Sequence, residues 1–168
     1  MASDALTLAV VLAGTGAGAA IDLSTRRVPN LLTASIAATG LALATTGLGR
    51  VDVAAAVAGC VLALLLMLPG YLLGGTGGGD VKLFAATGTL LGPTGTIWAF
   101  VFTLIAGGAI ALLVAAYRGR LLFTLRRSAV LVATAGANAS EIKTGDSGNR
   151  FAYAPAITVG AVLAAVFL

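Results

Sequence analysis

Apolar residues in this chain gather into six blocks, approximately 5–22, 30–48, 52–73, 80–92, 95–117 and 152–168, and polar residues fall mostly in the stretches between them. Most of the blocks approach the roughly 17–25 residues with which an α-helix crosses a bilayer. Only 10% of the 168 residues are charged, 59% are hydrophobic and mean hydropathy is +1.05. A soluble domain carries about a quarter of its residues as charges. The pattern predicts an all-α, polytopic membrane protein of about six transmembrane helices. The fourth block is short and punctuated by glycine, so its limits are the least sharply drawn.

The basic residues fix an orientation for such a bundle. With both termini outside, the inner connections hold Arg26, Arg27, Lys82, Arg118, Arg120, Arg126, Arg127, Lys143 and Arg150, and Arg50 alone lies outside. This excess follows the positive-inside rule, so the formal charge of +4 reads as topology rather than as a nucleic-acid surface. Pro69 to Gly79 forms the second inner connection, and Gly92-Pro93-Thr94-Gly95 reads as a tight outer turn. One long inner loop, about 118–150, joins the fifth and sixth spans. Its first half interleaves arginines with Leu121, Leu122, Phe123 and Leu125, which suits either an amphipathic segment lying on anionic lipid or a solvated loop. The expected organisation is one integral-membrane domain over 1–168. Met1 to Ala13 carries only Asp4 among charges and lacks the basic start of a secretory signal, so the first run reads as a retained span.

Composition removes several chemistries. The chain has no histidine, which excludes Ser-His-Asp and Cys-His machinery and histidine metal sites. Cys60 is the single cysteine, so neither a disulfide framework nor a cysteine zinc site can form within the chain. Gly14-Thr15-Gly16-Ala17-Gly18-Ala19 matches a dinucleotide fingerprint formally, but no acidic residue follows at the required spacing; close helix packing through Gly14, Gly16 and Gly18 explains it better. The glycine run 74–79 lacks the Lys-Ser/Thr of a P-loop and ends in an acid that would repel phosphate. No metal and no cofactor is expected.

Two aspartates stand out against this background. Asp22 closes the first apolar block and Asp80 opens the fourth, so the inferred orientation puts both at the inner face. An ionisable group at the edge of hydrocarbon is costly and reads as functional by default. Two carboxylates that share a site do not both ionise easily: one keeps a proton while the other stays charged, the arrangement used to activate water and polarise a carbonyl. The competing assignment makes Asp22 a partner of Arg26 and Asp80 a helix cap. Gly77, Gly78 and Gly79 ahead of Asp80 would allow unusual backbone angles and close approach of an extended strand. Arg26 and Lys82 are candidate charge partners of the aspartates or contacts to substrate, while Pro29 and Asn30 mark the start of the second helix.

At these residues the chain resembles the type IV prepilin peptidase family, the G-x-G-D intramembrane aspartic peptidases. The resemblance rests on Asp22 followed by Arg26-Arg27-Val28-Pro29-Asn30, on Gly77-Gly78-Gly79-Asp80-Val81-Lys82-Leu83 with Gly88 and Leu91-Gly92 behind it, and on Ala154-Pro155-Ala156-Ile157-Thr158-Val159-Gly160. It implies that Asp22 and Asp80 form a catalytic pair, with Gly77, Gly78, Gly79, Lys82, Arg26, Arg27, Pro29 and Asn30 as substrate or supporting residues. It also implies a multi-pass protein of the cytoplasmic membrane whose site faces the cytoplasm. Its partners would be membrane lipid and a type IV prepilin-like substrate, cut after a short basic leader. Larger members that also methylate the new N-terminus carry an inserted domain with paired cysteines; here only Leu23 to Asn30 separates the first two spans. The likeness is therefore to the short branch of Tad/Flp-type pili or archaeal preflagellin peptidases, and methylation is not expected. A small ion- or proton-coupled transporter and a non-catalytic pilus or secretion assembly subunit are the alternatives.

Overall fold

The computed structural model describes residues 2–117 and 153–167, and the expected inner loop 118–150 lies outside them. The described residues are helical with short connections: α1 (Ala2–Thr25), α2 (Asn30–Thr46), α3 (Val53–Leu72), α4 (Gly78–Tyr117) and α5 (Ala154–Phe167). Three stretches are long and apolar enough to cross a membrane, Ser3–Thr25, Val53–Leu72 and Gly78–Val114; Asn30–Thr46 and Ala154–Phe167 are shorter apolar helices.

The long α4 is two limbs rather than one rod. Gly92 breaks it at φ 66° and ψ −176°, a left-handed backbone open to glycine, and Pro93 behind it withdraws a backbone donor. Phe84 on the first limb and Phe100 on the second bring their ring centroids to 6.0 Å. Sixteen residues along a straight helix span about 24 Å. The limbs therefore fold back on each other at Gly92, where the sequence predicts a tight turn, and the fourth and fifth apolar blocks are separate helical segments.

The first limb, 78–91, is the centre of the bundle. From Leu83 to Leu91 every residue is buried, with α2, α3 and α5 among the helices that enclose the two limbs. Large side chains would hold those helices apart, and glycine on the facing surfaces removes them. A Cβ on Gly88 would meet the Gly59 carbonyl oxygen of α3 at 2.5 Å, and one on Gly40 of α2 would collide with the Thr89 hydroxyl. In α1 the expected ladder is two-membered: Gly14 backs onto Ile36 and Gly18 onto Leu83, four residues apart on one helix face, whereas Gly16 faces open space. On the second limb, Ala99 and Thr103 receive Gly160 of α5. Small-residue contact of this kind, with its van der Waals and weak polar terms, is how helices associate where lipid removes the hydrophobic drive between them. The outer faces carry the bulk instead; Val57, Val61, Leu64, Leu65 and Leu68 of α3 are all exposed.

The two ends of the bundle are distinct. At one end Arg50 donates to Asp4 Oδ1 at 3.1 Å and to the Ala165 carbonyl at 3.2 Å, joining the start of α1 to the end of α5. At the other end lie the last turn of α1 and the first turns of α4 and α5. Thr158, which donates to the Thr15 carbonyl at 2.8 Å, ties α5 alongside α1 between them.

Gly88→Ala is expected to lower thermal stability in detergent by about 1–3 kcal/mol, because the added methyl overpacks a backbone contact. Gly16→Ala, which meets nothing, should leave stability unchanged or raise it by up to about 1 kcal/mol. Equal effects of the two substitutions would contradict the packing described.

Candidate functional site

Asp22 sits in the last turn of α1 and is 6% exposed; Asp80 sits in the first turn of α4 and is 7% exposed. Fifty-seven residues of chain separate them, yet the fold brings the two carboxylates within electrostatic reach of each other. Burying a carboxylate requires partners, and each has one from the backbone. Asp22 Oδ2 accepts a hydrogen bond from the Ala154 N–H at 3.4 Å. Asp80 Oδ2 accepts one from the Gly77 N–H at 3.1 Å.

The Asp80 arrangement follows from helix-end chemistry. The first N–H groups of a helix lack partners, and an acid at the third helical position can turn back to the N-cap N–H. Gly77 is that N-cap and Asp80 that third residue, so the expected capping role is real for one oxygen. The other oxygen, Oδ1, is buried and has no hydrogen-bond partner among the described residues. One half of the carboxylate holds the helix, and the other is left unpaired in the interior.

Glycine before Asp80 is needed for space, not for unusual angles. None of Gly77, Gly78 and Gly79 has a positive φ; in this loop that conformation belongs to Gly74, at φ 76°. A Cβ on Gly77 would come to 3.0 Å from Asp80 Oδ2, and one on Gly79 to 3.2 Å from Val28 Cβ in the α1–α2 turn. Gly78 has room, with Tyr71 at an ordinary 3.5 Å. Upstream, the Gly70 carbonyl accepts from Gly75 N at 2.8 Å and from Thr76 N at 3.2 Å, while Leu73 and Gly74 bond back to Pro69 and Tyr71. The glycine-rich connection is thus a hydrogen-bonded turn that delivers Gly77 to Asp80.

The supporting residues named from sequence divide into two groups. Lys82 donates to Asn30 Oδ1 at 3.0 Å, so the two meet across α4 and α2 on the exposed side instead of pairing with the aspartates. Pro29 is the N-cap of α2, in extended conformation at φ −64° and ψ 138°. Arg26 adopts φ 54° and bonds through its backbone N–H to the Asp22 carbonyl at 2.8 Å, which ends α1 and turns the chain toward Val28. Arg26 and Arg27 are exposed on this turn. Among the described residues, no group of three or more His, Cys, Asp and Glu could hold a metal ion.

The backbone N–H of Ala154, whose hydrogen bond Asp22 accepts, belongs to the site although no sequence motif points to it. Pro155 stands in the first turn of α5, and a helix start offers unpaired N–H groups to an anion. Nothing in the sequence alone aimed that start at Asp22.

The sequence model of the type IV leader peptidase family matches residues 7–112. The chain belongs to the type IV leader peptidase family. Comparison with curated proteins and with solved structures finds no match. The family match runs from α1 through most of α4 and includes both aspartates, while α5 lies beyond it. Leader peptidase membership gives the general function as peptidase-like processing of prepilin-like substrates, and with the apolar helices it indicates a membrane protein.

Gly79→Ala is expected to push the Val28 turn from α4 and lower leader-peptidase activity about tenfold or more, since displacement of a site by about 1 Å is costly. Gly78→Ala should retain near-normal activity. Cleavage rates of the two variants in membranes check this, and a normal Gly79→Ala rate would contradict the contact.

Proposed function

We propose that the chain is an intramembrane aspartic endopeptidase that removes the short basic leader of type IV pilin-like precursors at the cytoplasmic face of the cell membrane. The observation that carries this reading is the placement of Asp22 and Asp80, both buried at one end of the bundle and close enough for the charge of one to bear on the other, inside the region matched by the leader peptidase family. The whole chain acts as one integral-membrane peptidase domain, with six segments crossing or entering the bilayer, termini outside and the 118–150 loop inside. The positive-inside distribution of Arg and Lys supports this orientation. The short connection between Asp22 and Asn30 supports the Tad/Flp-like or archaeal-type branch, without a methyltransferase domain.

The chemistry needs one ionised and one protonated carboxyl, the state two neighbouring carboxylates favour. The ionised member takes a proton from water as the water oxygen bonds to the scissile carbonyl carbon. The protonated member gives its proton to the carbonyl oxygen, so a neutral tetrahedral diol forms. Collapse returns a diol proton to a carboxylate, the C–N bond breaks, and the leaving nitrogen takes a proton from the other carboxyl. The products are an acid and an amine. The Ala154 and Gly77 N–H groups hold one oxygen of each carboxyl, which leaves the opposite oxygens for water and substrate.

A substrate whose leader never crosses the membrane meets a site at the inner face without passing through lipid. An ion-coupled carrier is less well supported, because its acids belong near mid-span between related halves and these lie at the helix ends.

Co-expression with a candidate prepilin tests the reading. Asp22→Asn and Asp80→Asn should each slow leader removal by about 10²–10⁴-fold while inserting normally; persistent cleavage in either variant removes the dyad. A reporter placed near Ser147 should be shielded from reagents outside intact cells, and labelling there would reverse the orientation.

A further inference from the structure

Tyr153 immediately precedes α5 and its carbonyl accepts the Ile157 N–H at 3.2 Å, so it is the residue on which that helix begins. The peptide unit that joins it to Ala154 supplies the N–H held by Asp22. Its ring lies against Gly107 of the second α4 limb, where a Cβ would stand 3.0 Å from Cε2 and 3.1 Å from the phenol oxygen. The Asp80 carboxylate is close enough to act electrostatically on the phenol. One residue is thus tied through its peptide unit to one aspartate and lies with its side chain within electrostatic range of the other.

Among the described residues no hydrogen bond takes up the Tyr153 hydroxyl, although the ring is partly buried against the core. The ring is half-buried while the hydroxyl itself is not sealed in the interior, so a group that enters the site can reach it. Asp80 Oδ1 is buried and, among the described residues, has no hydrogen-bond partner. A site that leaves a donor and an acceptor unused is shaped for a group that brings both, and a peptide carbonyl attacked by water is such a group. Packing alone would be served by phenylalanine, and Gly107 leaves room for the ring to lie as it does.

We propose that Tyr153 is a third catalytic residue, whose hydroxyl donates a hydrogen bond to the oxygen of the scissile carbonyl as it becomes tetrahedral between Asp22 and Asp80. The donor strengthens as charge develops on that oxygen, so it acts on the transition state more than on bound substrate. No proton leaves the phenol, and the hydrolysis balances as written for the dyad. This role rests on the aspartic peptidase reading.

The test is steady-state cleavage by the full-length protein in lipid vesicles of a purified precursor with a Lys/Arg-rich leader, a glycine at the cut and the following apolar helix. Wild type, Tyr153→Phe, Gly107→Ala, Asp22→Asn and Asp80→Asn are compared. Tyr153→Phe should lower kcat by about 10²-fold with KM little changed, the loss typical of one oxyanion donor, and should keep the thermal midpoint of wild type. Gly107→Ala, which displaces the ring, should lower kcat in the same direction. Unchanged kcat in Tyr153→Phe, with both asparagine variants inactive, overturns the Tyr153 role and leaves the dyad standing. Active asparagine variants, or a wild type that leaves this precursor whole, overturn the peptidase reading and the Tyr153 role with it.

Discussion

The close approach of backbones around the first limb of α4 is the constraint on which the rest depends. A helix of 14 residues spans only about 21 Å, too short for comfort in a bilayer about 30 Å thick in its hydrocarbon core. This segment is instead enclosed by protein, and glycines at 40, 59 and 88 let the neighbours come in. Gly92 then reverses the chain so that the second limb adds to the enclosure. Residue Asp80 is carried into the interior because it begins the most enclosed segment, not because its own surroundings attract charge.

From that placement the site assembles in order. The last turn of α1 brings Asp22, and the hydrogen-bonded turn 70–77 presents the amide that one Asp80 oxygen needs. The start of α5 presents the amide that Asp22 needs, and Thr158 fixes α5 to α1 so that it arrives there. Each carboxylate is half satisfied by a helix-end N–H. Such groups are fixed dipoles that favour negative charge without contributing a proton. The proposed chemistry uses this division: one oxygen of each acid anchors and the other reacts. Arg50 closes the far end of the same helices, so the two ends of the bundle serve different purposes.

Much of this was legible in the sequence because it depends on period and position. Apolar blocks gave the helices, Gly92-Pro93 gave the reversal, and the aspartates at block edges gave a shared end. The family match bears out the resemblance drawn from the Asp22 and Asp80 motifs. Other parts depend on which faces meet, and no local pattern states that. Gly16 looks like Gly14 and Gly18 in sequence, yet it points away from the neighbours the other two touch. Gly77 to Gly79 suggested unusual dihedrals, but their conformation is ordinary and their smallness serves Asp80 Oδ2 and Val28. Lys82 looked like a partner for an acid, and the fold gave it Asn30. Tyr153 carries no motif that singles it out; the role proposed for it comes only from the arrival of α5 beside α1 and α4.

The central claim is that the end of α1 and the start of α4 meet in one site within a single chain. Its most direct test is proximity in the membrane. Cys60 is the single cysteine, so a Cys60→Ala background carrying Asp22→Cys and Asp80→Cys has two thiols only. A short bifunctional thiol reagent applied to native membranes, followed by mass spectrometry of the digested protein, reads the pairing. A peptide pair joined between positions 22 and 80 of one chain is expected, in high yield and before any substrate is added. Two separately capped thiols, or cross-links formed only between different chains, would contradict it.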